Sequence, residues 1–517
     1  MIRPVLLAAS LLLAGCAAVP APEGVPAAPA FAETETALAR TRAAIARIEA
    51  MNPRLRAVIA VDPTALDQAR RLDSSSGPRG PLFGMPILIK DNVEVAGPLP
   101  TTAGSLALRE NVTYRDAPLV ARLRAAGAVI LGKTNLSEWA NFRSNDSISG
   151  WSAIGGQTRN PHALDRNACG SSTGSGAAVA AGMAPAAIGT ETNGSITCPA
   201  AINGIVGFKP TVGLVSRTHV VPISASQDTA GPMARTVREA AMVLDAIAGS
   251  DPADETTAEA DRRRQPYAAQ LNPDSLRGRR IGVMRFATGF GTDAAFEDAL
   301  ATLRAQGAEL VDIAEFPNMG EMNRNAFTVM LHEFKDGLNR YLASTPPRVT
   351  TRTLAQVIAF NRANSAQELA LFDQDLFEQA EATDGLTADY RRARETSFRM
   401  AGPDGIDRLL REHRVDALVG PTMPPAWKID TVLGDVLPGG GGGSLAAIAG
   451  YPHLTVPMGQ VRGLPVGLSF IGPKWSDGLI LSLGFAYEQA SRRRIEPRFL
   501  PSVEETPDVR RAFEPAR

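Results

Sequence analysis

Lysine is scarce in this chain, which has only six, and one of them, Lys90, closes the apolar run Phe83-Gly84-Met85-Pro86-Ile87-Leu88-Ile89. A lysine at the edge of a buried strand loses its hydration, which disfavours the charged form and can lower the pKa from ~10.4 by several units. An uncharged lysine is a base. The same side chain could instead reach solvent or pair with Asp91, and this segment alone does not decide between them.

Two further stretches carry chemistry. The run Gly170-Ser171-Ser172-Thr173-Gly174-Ser175-Gly176 leads directly into Ala177-Ala178-Val179-Ala180-Ala181. Its glycines and small side chains permit close approach of a substrate, and the alanines supply a helix that packs tightly behind. A Gly/Ser linker is the bland alternative, although linkers do not usually run into an apolar helix. The second stretch is Gly189-Thr190-Glu191-Thr192-Asn193-Gly194-Ser195, approached by the apolar residues Ala184 to Ile188. Such a turn can aim successive backbone N–H groups into one concavity and hold an oxyanion there. As a bare pattern it is equally an ordinary tight turn.

Together with Gly204-Ile205-Val206-Gly207-Phe208-Lys209-Pro210-Thr211, these residues closely resemble the amidase signature, the Gly/Ser-rich region of a large family of amide hydrolases. The resemblance runs over most of the chain, from the Lys90 segment to Gly463-Leu464-Pro465-Val466-Gly467-Leu468. It implies that Ser195 is the nucleophile and that Lys90 activates it through Ser171, with Gly170 and Ser171 joined by a cis peptide bond. It also implies an oxyanion hole built from the backbone N–H groups of Thr192, Asn193, Gly194 and Ser195. Within the family the chain most resembles the bacterial peptide amidases, which remove C-terminal amides from peptides. That likeness rests on Cys198-Pro199-Ala200-Ala201-Ile202-Asn203-Gly204, on Ser224 to Arg235 and on Ala449-Gly450-Tyr451-Pro452. Asn193 stands where the family usually has Gly and Thr197 where it usually has Arg, so both alter the wall beside Ser195.

Several rival readings can be weighed on the same residues. Gly170-Ser171-Ser172-Thr173-Gly174 also fits a nucleophile elbow centred on Ser172, but no hydrophobic strand precedes it. No Ser-x-x-Lys occurs, so lysine and serine must meet through the fold. His162, His219, His332, His413 and His453 are scattered, with no metal-ligand spacing, and neither a metal nor a cofactor is implied. The expected partner is a small-molecule or peptide amide. Small carboxamides remain an alternative substrate class. A glutamine-hydrolysing subunit of a transamidation complex and a non-catalytic binding lipoprotein are alternatives of other kinds.

The elements that must position these groups alternate. Leu38, Ile45 and Ile48 mark an amphipathic helix from Glu33, and Leu55 to Val61 reads as a strand. Helix then strand recurs at Pro118–Ala126 and Ala128–Leu131, at Phe296–Gln306 and Glu309–Ile313, and at Ile406–His413 and Val415–Val419. A strand is also expected at Leu454–Met458, after a five-glycine loop and a short helix at Ser444–Ala449. Residues Phe327 to Met400 read as a mostly helical lobe, and Ser250 to Pro273 as a polar surface excursion. The fold class expected is α/β, a single large amidase-signature domain with a central mixed, twisted sheet covered by helices.

The composition, 44% hydrophobic and 21% charged, supplies ample core, and a formal net charge of −1 leaves no basic footprint for nucleic acid. The first residues differ. Arg3 precedes the apolar stretch Val5 to Ala14, which ends in Leu13-Ala14-Gly15-Cys16, a signal peptide whose ending resembles a bacterial lipobox with Cys16 as the lipidated residue. Ordinary secretion with cleavage at a small-residue site is the alternative. The expected organisation is residues 1–16 as signal peptide, 17–32 as an Ala/Pro-rich tether, 33–505 as the amidase-signature domain and 506–517 as a C-terminal tail. Export, lipid anchoring to a bacterial membrane and a periplasmic location follow from that reading. Cys169 and Cys198 are then either a disulfide or two buried thiols.

Overall fold

Pro86-Ile87-Leu88-Ile89-Lys90 forms a strand in which all five residues are buried. Its side chains alternate between two cores: Ile87 and Ile89 pack on one face of the sheet, and Leu88 packs on the other with Val129, Leu131 and the residues Ala177 to Ala181. A strand covered on both faces reads as a continuous apolar run, as this one does. The computed structural model describes residues 35–436, 441–513 and 515. The expected signal peptide with Cys16, the expected tether and part of the glycine loop lie outside the described residues.

The sheet has eleven strands among the described residues. Val58–Val61 lies at one edge, followed by Val129–Thr134, Pro86–Lys90, Ala186–Glu191, Thr229–Ala234 and Val206–Lys209, then His453–Val461, Leu464–Ile471, Ala417–Pro421, Arg280–Met284 and Glu309–Ile313. Val129–Thr134, Pro86–Lys90 and Ala186–Glu191 run parallel, as do the three strands at the far edge. The pairs between are antiparallel, so the α/β fold with a mixed sheet is present as expected.

Some boundaries move. Leu55 ends the helix Ala37–Leu55, whose buried face includes Ala44, Ile48, Met51 and Leu55, so Leu55 follows the helical period and the strand begins at Val58. The strand expected at Ala128–Leu131 runs Val129–Thr134, the one expected at Val415–Val419 runs Ala417–Pro421, and the one at Leu454–Met458 extends over His453–Val461. Ser250 to Pro273 carries only short helical turns, Glu255–Thr257 and Ala260–Arg263. In the expected tail, Pro507–Phe513 is a helix. Among the described residues no helix is long and apolar enough to cross a membrane.

The helical lobe comprises Met319–Ala343, Leu354–Ala363, Ser365–Glu368, Asp375–Glu381 and Ala388–Ala401. It seals onto the sheet domain through an apolar cluster that includes Phe142, Val221, Ile223, Phe334, Leu338 and Phe377.

Candidate active site

Lys90 ends its strand with no exposed surface. Its Nζ is 2.8 Å from Ser171 Oγ, 2.9 Å from Thr190 Oγ1 and 3.3 Å from the Thr190 carbonyl. Loss of hydration brings its pKa down to about 7, against the opposing pull of Asp228 and Glu191. Asp91 is not its partner: that carboxylate holds Lys133 Nζ at 3.1 Å and the Thr102 hydroxyl.

Ser171 follows a cis peptide bond from Gly170, and its carbonyl accepts from Ser137 N at 3.1 Å. The next turn begins the helix Thr173–Ala180, every residue of which is buried. Only a glycine permits this approach at position 174, where a Cβ would collide with the Ala57 carbonyl and the Asn135 backbone. Ser172 and Ser175 stitch the helix to the Ala186–Glu191 strand. Ser172 Oγ donates to Thr190 O at 3.1 Å and accepts from Thr190 N at 3.2 Å, while Ser175 Oγ donates to Ile188 O at 3.0 Å. Ser172 is therefore fully enclosed and committed to backbone, which removes the nucleophile-elbow reading.

The Ala186–Glu191 strand, read from sequence only as an apolar approach, leads into the turn Thr192 to Ser195. Gly194 takes φ 86°, a conformation that suits glycine. Glu191 ties the turn shut: its Oε2 accepts from Ile196 N at 2.7 Å, Thr197 N at 2.9 Å and Thr197 Oγ1 at 3.2 Å. Thr192 Oγ1 donates to Asp228 at 2.6 Å, and Gln227 Nε2 donates to the Thr192 carbonyl at 3.3 Å. Ser195 is held through its carbonyl, which accepts from Ser172 N at 3.1 Å. Among the described residues, no hydrogen bond occupies the backbone N–H groups of Thr192, Asn193, Gly194 or Ser195, and none joins the hydroxyls of Ser171 and Ser195.

Cavities open on two sides of this cluster. One of about 530 Å³ is lined by Gly170, Asn193, Gly194 and Thr197 and by the apolar side chains Phe142, Phe327, Met330 and Trp427. The second, of about 470 Å³, reaches Ser171, Thr190, Thr192, Asn92 and Asp228. Cys169 and Cys198 form a disulfide, joining the residue before Gly170 to the helix after Ser195. Asn193 is exposed, and its Oδ1 accepts from Ser444 Oγ at 3.3 Å.

Sequence reasoning missed the supporting residues Thr190, Asn92, Glu191 and Asp228. Thr190 and Asp228 lie inside stretches singled out from the sequence, but the contacts that give them a role span 98 to 100 residues for Thr190 and 36 for Asp228. The histidines stay apart: His162 bonds to Asn203 O at 3.0 Å and His453 to Ser469 Oγ at 2.7 Å. No group of side chains suited to a metal ion occurs among the described residues.

Known proteins share both the sequence and the fold. A family model described as Amidase matches residues 39–481. The structure of native peptide amidase from Stenotrophomonas maltophilia superposes with a TM-score of 0.85 at 53% identity, covering 90% of this chain and 96% of that one. A structure of the peptide amidase PAM in complex with the competitive inhibitor chymostatin matches at 53% identity with a TM-score of 0.86, over the same shares of both chains. An Arabidopsis thaliana protein named "Probable amidase" is 40% identical over 463 residues, 87% of this chain and 86% of its own length. A glutamyl-tRNA(Gln) amidotransferase subunit from Roseiflexus castenholzii is 37% identical over 480 residues, 85% of this chain and 90% of its own length.

Proposed function

The chain belongs to the amidase family and is an amide hydrolase, and from that premise we propose that Ser195 attacks the amide carbonyl while Lys90, acting through Ser171, serves as the base. The observation that carries this reading is the setting of Lys90 Nζ. A neutral amine has two N–H groups and one lone pair. The Thr190 carbonyl and hydroxyl accept the two N–H groups, which leaves the lone pair for the Ser171 hydroxyl 2.8 Å away. Ser171, with its proton drawn toward Lys90, can take the Ser195 proton as Ser195 Oγ bonds to the carbonyl carbon. That step requires the two serine hydroxyls to close on each other when substrate is bound, as catalytic hydrogen bonds commonly do.

The carbonyl oxygen becomes an oxyanion, for which the N–H groups of Thr192 to Ser195 are the available donors; one such contact is typically worth about 3 kcal/mol in the transition state. The C–N bond then breaks as Ser171 passes a proton to the nitrogen, so that a primary amide releases ammonia and leaves an acyl-enzyme. Water attacks the ester, giving its proton to Ser171, and the carboxylic acid and free Ser195 are formed.

Peptides ending in a C-terminal amide are the proposed substrates. The likeness to peptide amidases supports this, as does a cavity whose lining joins the apolar side chains Phe142, Phe327, Met330 and Trp427 with Asn193 and Gly194 of the turn. The assay compares ammonia release from amidated peptides and from simple carboxamides, with Ser195→Ala as control. Release by the control would remove Ser195 as nucleophile. Release from small amides alone would remove the peptide preference and leave the chemistry. We also propose that Cys16 is lipidated and holds the enzyme on a membrane outside the cytoplasm. Cys16→Ala would then move activity from the membrane to the soluble fraction.

A further inference from the structure

Glu333 lies on the lobe helix Met319–Ala343, only 3% exposed. Its carboxylate is spent on the loop that supports the Thr192–Ser195 turn. Oε2 accepts from Ser224 Oγ at 2.5 Å, Ser226 N at 2.9 Å and Ser226 Oγ at 2.9 Å, and Oε1 accepts from Tyr390 OH at 2.7 Å. Its cationic neighbour is the half-exposed Arg394, at 4.0 Å. A buried carboxylate is costly unless hydrogen bonds compensate it, so the loop and the carboxylate constrain each other.

The same loop then reaches the turn. Asp228 accepts from Ile223 N at 2.8 Å and Ser224 N at 2.9 Å with one oxygen, and from Thr192 Oγ1 at 2.6 Å with the other. Gln227 donates to the Thr192 carbonyl. We infer that Glu333 is a positioning residue for the oxyanion turn, holding Ser224 and Ser226 so that Asp228 and Gln227 fix the backbone of Thr192. It touches neither substrate nor the reacting atoms. A helix outside the signature thereby sets the aim of donors inside it, and donors displaced by a fraction of an ångström lose transition-state stabilisation without losing substrate binding.

This inference rests on the proposed hydrolysis, and the test separates the two. Glu333→Gln, Ser226→Ala and Ser195→Ala are assayed together on an amidated peptide, with thermal unfolding of each. Glu333→Gln is expected to lower kcat about tenfold with KM within about twofold, and Ser226→Ala, which keeps the backbone donor, to lower kcat less. Combined with Thr192→Val, Glu333→Gln is expected to cost little more than the larger single substitution, because both act on one turn. Parental kcat in both Glu333→Gln and Ser226→Ala, a loss of rate that only tracks the folded fraction, or full additivity with Thr192→Val would overturn the positioning role. Should Glu333→Gln fail to fold, Ser226→Ala and its pairing with Thr192→Val decide the matter. Activity in Ser195→Ala would instead strike the proposed hydrolysis.

Discussion

Thr190 meets Lys90 twice, through its hydroxyl at 2.9 Å and its carbonyl at 3.3 Å from Nζ, and the hydroxyl also accepts from Asn92 Nδ2 at 2.9 Å. Removing the hydroxyl strands two buried donors. Thr190→Val, close to the same shape, is therefore expected to cost about 1–3 kcal/mol in the transition state, roughly a 5- to 150-fold fall in kcat. KM should change little. A kcat within twofold of the parent would show that the carbonyl alone orients the amine.

The pH profile follows from the amine. With its pKa brought down to about 7, Lys90 is charged below that value and cannot accept a proton. The rate is expected to rise with pH through about 7 and to level above it, and Lys90→Ala should abolish activity across the range. A flat profile from pH 5 to pH 8, or a Lys90→Ala variant within a few fold of the parent, would exclude this lysine as the base.

The same shift acts on stability. Between the folded value of about 7 and the ordinary 10.5, the unfolded chain binds the lysine proton and the folded chain does not, so this residue makes stability rise with pH across that window. Below about 7 the penalty is present in full. In urea unfolding, Lys90→Met should therefore gain more over the parent at pH 6 than at pH 9.

The disulfide closes a loop between residues 29 apart. Loop-closure entropy assigns such a bridge about 3–4 kcal/mol of stability. The pair Cys169→Ala and Cys198→Ala should lower the unfolding midpoint by a corresponding amount, as should a reductant on the parent. Equal midpoints with and without reductant would mean that the bridge adds nothing.

Asn193 lines the larger cavity without touching the Lys90–Ser171 pair. Asn193→Gly should leave kcat on a small carboxamide within a few fold and shift KM for amidated peptides severalfold. A loss of kcat on both substrates would place this side chain in the chemistry itself.

What the sequence disclosed divides along physical lines. Lys90, Ser171 and Ser195 were singled out by their joint likeness to the family's pattern, because the apolar run and the two turns rich in small residues, each taken alone, suit an ordinary buried strand edge, linker or tight turn equally well. The helical lobe was legible for want of strand signals. The strand Thr229–Ala234 was not, since Pro232 cannot donate to a ladder and argues against a central strand, yet it sits opposite Ile188. Leu55 was misread because an apolar cluster suits either a helix end or a strand start. Asp228 and Glu333 could not be assigned roles, because the donors that give them one, Thr192 and Ser224, lie 36 and 109 residues away, while the donors of Glu191 are local backbone N–H groups whose direction only the folded turn sets.

Ile87, Leu88 and Ile89 pair rung by rung with Ala186, Ala187 and Ile188, so the spacing between Lys90 and Thr190 is inherited from a hydrogen-bonded ladder rather than from loop packing. A ladder is the stiffest part of such a molecule, whereas helices attached through a separate cluster loosen earlier. Warming should accordingly degrade grip before chemistry: KM for long peptides climbs first, while turnover of the smallest amides persists nearly to the temperature at which the sheet itself gives way.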